Sequence, residues 1–134
     1  PGLKATWHEF KGNKCSEIEK APVNGTYPVE DVMIPKKVKG NIGLIIKGYF
    51  NAPQDDIYTF ALLSDDGSTL TIDSEQIVDN DGPHGPKEIV GQKALAKGYH
   101  PMELRYFDQN GGQLKLKVTG SDGKEIPFTH LYAH

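Results

Sequence analysis

Cysteine is almost missing from this sequence: Cys15 is the only one in 134 residues. A single thiol excludes an internal disulfide framework and a cysteine-ligated zinc site. It leaves the compartment open, because large secreted domains manage without disulfides. Cys15 itself reads as a buried or incidental thiol. Long apolar runs are missing too. The longest, around Ile42 to Ile46, is far shorter than the ~20 residues a membrane-spanning helix needs. Positive charge is not in excess, since 15 Lys and Arg stand against 18 Asp and Glu for a formal net charge of -3. Following a phosphate backbone requires a concentrated cationic face, so neither nucleic acid nor membrane insertion is expected. Helical periodicity is also absent. No stretch places apolar residues at i, i+3, i+4 and i+7 over three turns without a breaker. The best helical candidate is the short segment Ser16-Glu17-Ile18-Glu19-Lys20. The start at Pro1, with no leader, is read as that of an excised or processed domain whose targeting segment lies upstream.

What the sequence has in abundance is strand and turn signal. Fifteen glycines and nine prolines punctuate it. Asn41 to Phe50 is apolar and ends in aromatics, and Ile57 to Leu63 is apolar on both parities, as a strand within a two-sheet packing would be. Leu70 and Ile72 alternate with Thr69 and Thr71, predicting one buried and one wet face. Leu114, Leu116 and Val118 alternate with Lys115 and Lys117, and Met102, Leu104 and Tyr106 with Glu103 and Arg105. Pro101 suits an edge or a strand start, because it cannot donate to a ladder. Asp65-Asp66-Gly67, Asp73-Ser74-Glu75, Asn80-Asp81-Gly82, Asn110-Gly111-Gly112 and Asp122-Gly123 supply turn chemistry between the runs. Short strands at this spacing predict an all-β sandwich or barrel, one domain over residues 1–134. Residues 1–40 are expected to form an irregular wrap anchored by Trp7 and Phe10, and residues 41–134 the core sandwich.

Acidic and amide groups gather in two turns, Ser64-Asp65-Asp66-Gly67-Ser68 and Asp108-Gln109-Asn110-Gly111-Gly112. Each follows a strand that ends in apolar or aromatic residues. Neighbouring strands would converge three carboxylates and loop carbonyls into the hard-oxygen environment calcium prefers. By spacing alone, solvated turn acids are the favoured alternative. An EF-hand is excluded: counting from Asp79, the fifth position is Pro83 and the twelfth is Val90, where a bidentate Glu is needed. The run Asp79 to Gly85 reads as a second ion site, a binding loop or, more often for such runs, a self-satisfied tight loop. His84 and His100 do not make a triad with Ser64 or Ser68, since no nucleophile elbow surrounds either serine. Paired carboxylates for glycoside hydrolysis are not excluded by counting, but a small sandwich offers little cleft. Asn24-Gly25-Thr26 matches the N-glycosylation triplet, a pattern common by chance.

Taken in order, Ile57-Tyr58-Thr59-Phe60, then Ser64-Asp65-Asp66-Gly67-Ser68-Thr69-Leu70-Thr71-Ile72-Asp73, then Ile77 to Gly82 and Lys97 to Phe107, resemble the signature of the PA14 domain. That family is named after the anthrax toxin protective antigen, and the likeness runs over roughly residues 40–119. It implies an antiparallel β-sandwich, sometimes barrel-like, found as a module in glycosidases, adhesins and toxins. In lectin-like members two adjacent aspartates joined by a cis peptide hold a calcium ion that coordinates sugar hydroxyls. By that resemblance the metal set is Asp65, Asp66 and Asp108 with the carbonyls of Asn110 and Gly112, and the glycan contacts are Asp65, Asp66, Asp108, Gln109 and Asn110. Fungal adhesins of the family carry Asn where this chain has Asp108. The loop from Gln109 to Gln113 lacks an aromatic to stack on a sugar, and Ser74-Glu75 stands where many members have Gly-Lys. Calcium is therefore the firmer expectation and sugar the weaker.

The resemblance implies a non-catalytic, carbohydrate-associated accessory module of a larger secreted, periplasmic or cell-surface protein. Ile126 to His134 resembles the end of such modules in β-hexosaminidases, which suggests a glycosidase parent. Its partners would be a glycan and the parent's catalytic domain. The alternative is a purely structural module that packs against or shapes that catalytic domain and has no ligand of its own.

Overall fold

The computed structural model describes residues 2–109 and 111–132. Nine strands form two antiparallel sheets. They are β1 (Leu3–Glu9), β2 (Val23–Val29), β3 (Ile42–Ala52), β4 (Asp56–Asp65), β5 (Ser68–Ile72), β6 (Glu75–Asn80), β7 (Lys87–Leu95), β8 (Gly98–Asp108) and β9 (Gln113–Thr119). The six-stranded sheet runs β2-β1-β3-β8-β5-β6 and the three-stranded sheet β7-β4-β9. Among the described residues, helix is limited to a 3₁₀ segment, Cys15–Lys20, and a single turn, α1 (Phe128–Leu131).

Alternation decides what is buried. Ile42, Leu44, Ile46 and Phe50 of β3 point inward, as do Met102, Leu104 and Tyr106 of β8, and Leu70 and Ile72 of β5. Tyr58, Phe60 and Leu62 of β4 meet them from the smaller sheet, with Leu116 and Val118 of β9 beside them. Phe50 stands edge-on to Tyr58 and Phe60, with centroids 5.5 Å and 5.2 Å away. Such T-shaped pairs add to the burial term.

The structure corrects three expectations. Residues 1–40 are not an irregular wrap, because β1 and β2 extend the larger sheet. Gly25 and Pro28 disguise β2 as a loop, yet Pro28 is harmless there, since β2 is an edge strand and leaves one row of N–H positions unmatched. Pro101 sits in β8, an interior strand, opposite Tyr49. Its carbonyl accepts from Asp73 N–H just beyond the end of β5, so its missing donor faces a stretch with no ladder to lose. Thr69 is buried along with Leu70 and Ile72, and the outer parity of β4 leaves Ile57 53% exposed. The expected antiparallel sandwich is what forms: among the described residues no ladder joins the two sheets, so it is not closed into a barrel.

The outer face of the larger sheet is covered at one end only. There the 3₁₀ segment lays Cys15 and Ile18 over Ile45, Phe10 and Phe107 as a second apolar cluster. Arg105 holds it down by donating to Cys15 C=O at 3.3 Å and pairing with Glu19 at 3.2 Å. Burial first, and then the negative Asp81, push the Cys15 thiol up, so it stays protonated and unreactive.

Asp73 and Ser74, the loop between β5 and β6, have φ of 52° and 67°. Two consecutive positive φ values define the hairpin turn whose twist matches its strands, and glycine fits its second position at lower cost. Asp73 is retained by His100, which it meets at 2.8 Å. Ser74→Gly should therefore stabilise the fold by about 0.5–1 kcal/mol. A thermal melt that shows no rise in the midpoint would contradict this.

Candidate metal centre

β4 ends on Asp65 and β8 on Asp108, one in each sheet, at the same end of the sandwich. The Asp65-Asp66 peptide is cis. Carboxylate oxygens of Asp65, Asp66 and Asp108 lie within 4.8 Å of one another. Asp65 and Asp66 are half-buried and Asp108 is buried.

β8 fixes the acidic turn from below. Tyr106 O–H donates to Asp65 C=O at 2.7 Å, and Phe107 N–H donates to Gly67 C=O at 3.0 Å. Asp66 accepts the Gln109 N–H at 3.1 Å on one oxygen and the His84 N–H at 3.0 Å on the other. Burial raises the Tyr106 hydroxyl well above its usual range, and the nearby charges of Asp108, Asp65 and Asp66 raise it further. It therefore remains a donor across the accessible pH range. A polar seam lies beneath the turn. Ser64 and Ser68 hydroxyls meet at 2.6 Å, and the Asn80 amide donates to Leu62 C=O, Ser64 Oγ and Lys87 C=O.

The sequence-derived residues divide cleanly. Asp65, Asp66 and Asp108 come together. Gly112 lies against them, since a Cβ there would sit 2.1 Å from Asp65 O and 2.8 Å from Asp108 Cγ. Gln109 contributes through its backbone, while its side chain donates to Gly12 C=O at 3.4 Å. Asn110 lies outside the described residues. Ser64 and Ser68 have no exposure and cannot serve as nucleophiles. His100 binds Asp73 and Ala96 C=O instead. The run from Asp79 to Gly85 is tied partly to itself and partly to its neighbours. Asp81 accepts from Gly82 N–H and Cys15 N–H, and the His84 ring lies between the Asn80 and Gly85 carbonyls. Sequence reasoning missed this loop's role as a buttress for Asp66. It also missed Tyr106, whose alternation with Arg105 marks it as core and hides its hydroxyl contact.

Three carboxylates at this separation repel one another unless a cation lies among them. The donors are all hard oxygens, and the absent side chain at Gly112 lets its backbone come close against Asp65 and Asp108. That donor set fits calcium and excludes the nitrogen and sulfur chemistry of zinc.

A family model described as the PA14 domain matches residues 1–128. No curated protein matches the sequence. Among solved structures, the PA14 domain of the MpAFP antifreeze protein superposes with a TM-score of 0.83 at 12% identity, covering 98% of this chain and 89% of that one. A PA14 sugar-binding domain from an RTX adhesin gives 0.82 at 17% identity, covering 99% and 98%. The epithelial adhesin 9 A domain from Candida glabrata, in complex with Galb1-4GlcNAc, gives 0.74 at 13% identity, covering 98% and 88%. At these identities the structural likeness speaks for the fold alone.

Proposed function

This chain belongs to the PA14 domain family, and from that premise we propose that it is a non-catalytic module that binds carbohydrate through a calcium ion. The observation that carries this reading is the convergence of Asp65, Asp66 and Asp108 within 4.8 Å at one exposed end of the sandwich. Those three residues would hold the ion, with the Gly112 and Asn110 carbonyls completing the set. When bound, calcium would supply a Lewis-acidic contact for vicinal hydroxyls of a sugar. The residues of the chain prepare the place. Tyr106 locks the Asp65 carbonyl, while Gln109 and His84 orient the Asp66 carboxylate. A neutral diol suits the site better than an anion, because three carboxylates exceed the charge of a divalent ion. The sugar-binding RTX adhesin domain and the Candida glabrata adhesin complex support the same reading. We place the module in a larger secreted carbohydrate-active protein, a glycosidase of the β-hexosaminidase type by the resemblance of its last residues.

A second reading has its own observation. Ile57 and Val90, 53% and 54% exposed, lie on the outer face of the three-stranded sheet. An apolar surface of this kind suits packing against a neighbouring domain, with no ligand required.

A calcium titration followed by glycan-array binding with and without chelator separates the two. The proposal expects calcium to raise the melting temperature and chelator to remove glycan binding. A calcium shift without a chelator-sensitive glycan signal favours the packing module, and no calcium shift sinks the ion site.

A further inference from the structure

The other end of the larger sheet presents a different surface. The rows Lys4, Lys47, Glu103, Thr71 and Tyr49, Pro101 and Asn51, Tyr99 run across adjacent strands by register, and each row points away from the core. The 3₁₀ segment stops one row short, at Arg105, which it covers. Beyond that row the face is open. Tyr49 is 49% exposed and Tyr99 56%, and they are diagonal neighbours in the β3–β8 register, a spacing at which large side chains act together. A depression of about 620 Å³ lies over Lys4, Lys47, Tyr49, Thr71, Pro101 and Glu103.

The composition of this face identifies its occupant. Its outward apolar groups are two tyrosines and a proline ring, and no aliphatic side chain is among the outward residues of these rows. Protein interfaces centre on a desolvated apolar core, whereas the apolar part of this face is confined to Tyr49, Pro101 and Tyr99 and borders the charged Lys47–Glu103 row, a pair at 3.5 Å. Single-stranded nucleic acid also stacks on tyrosines, but it needs a positive groove along its backbone, and Glu103 and Asp73 interrupt any such groove. Flat rings bordered by a row of side-chain donors and acceptors match a saccharide, which has apolar C–H faces and hydroxyl edges. The near balance of charge points to a neutral one.

We propose that this open half-face is a second carbohydrate-contact surface, independent of calcium, for a neutral saccharide chain. Tyr49 and Tyr99 stack on successive sugar faces. Lys4, Lys47, Thr71 and Glu103 bond the hydroxyls along one edge. The surface is separate from the acidic site, since Tyr99 and Asp108 lie at opposite ends of β8, roughly 30 Å apart at strand rise.

The test is an NMR titration of the chain with cellohexaose and chitohexaose in EDTA. Amide shifts should centre on Lys47, Tyr49, Asn51, Tyr99 and Glu103. Tyr49→Ala and Tyr99→Ala should each weaken binding about tenfold. Tyr49→Phe should bind as the parent does. Both tyrosines point outward, so the alanine variants should stay folded, as their melts would show. The mapping on the unaltered chain decides the matter by itself. If neither sugar moves these amides at millimolar concentration, or if the shifts fall only on residues 65–67 and 107–112, the proposal is wrong.

Discussion

Asp66→Ala should abolish the calcium-dependent rise in melting temperature. A ligand that binds only the folded state stabilises it by about 2.7 kcal/mol at a hundred times its dissociation constant. For a domain of this size that is a rise of roughly 10 °C. Extracellular calcium modules bind at about 10⁻⁴–10⁻³ M, so calcium in the tens of millimolar should bring the parent chain near that value. Asp66 is the most informative position because its two oxygens are already oriented by Gln109 N–H and His84 N–H. The alanine leaves those two donors without their acceptor, which lowers the metal-free stability. It also relieves repulsion with Asp65 and Asp108, which offsets part of that loss. The quantity to compare is therefore the increment between chelator and calcium, measured by scanning calorimetry. Asp108→Asn should keep a reduced increment, since an amide oxygen still ligates but carries no charge. If Asp66→Ala retains the full rise, the ion binds elsewhere.

Gly91→Ala should be the most damaging single methyl in the fold. β7 crosses β6 so closely that a Cβ at Gly91 would lie 2.0 Å from Ile77 O, 3.0 Å from Ile77 C and 3.1 Å from Val78 Cγ2. The first two are backbone atoms of Ile77, which the β5–β6 register skips as a bulge, and they cannot turn aside as a side chain would. Relief requires the edge of one sheet to move away from the other, and Val78 is 2% exposed in the core at that contact. Overpacking against a fixed backbone belongs at the high end of mutational costs, about 3 kcal/mol or more, which lowers the melting temperature by roughly 10 °C. Gly85→Ala is the matched control. Nothing lies within 4 Å of its added Cβ, so it should change stability by less than about 0.5 kcal/mol. Equal melting temperatures for the two variants would show that the sheets do not meet at Gly91.

Much of this architecture can be read from alternation. β8 and β9 announce themselves because one side chain in two must face the core, and β3 does so by its apolar run, buried on both faces from Ile42 to Ile46. β1 and β2 do not, because their signal is broken by Gly25 and Pro28, and the edge position that makes Pro28 tolerable is a tertiary fact. Position in the sheet likewise decides Pro101, which the sequence alone assigns to an edge or a strand start. The acidic turn was legible only as part of an ordered series of motifs. As composition, Asp65-Asp66-Gly67 does not differ from Asn80-Asp81-Gly82. What separates them is the strand beneath, since Tyr106 and Phe107 hold the first turn. The second turns on itself through Asp81. No local pattern encodes that difference.

The backbone N–H of Gly2 donates to the carbonyl of Tyr132 at 3.0 Å. Gly2 lies two residues before Lys4, whereas Glu9 stands level with Ile42 and Asp108. The acidic end is thus roughly 20 Å away along the strands. Tension applied through residues 2 and 132 would enter and leave the domain at a single corner. The line of pull would pass beside the sandwich and not through it. Asp65, Asp66 and Asp108 would then carry none of that tension until the corner gave way.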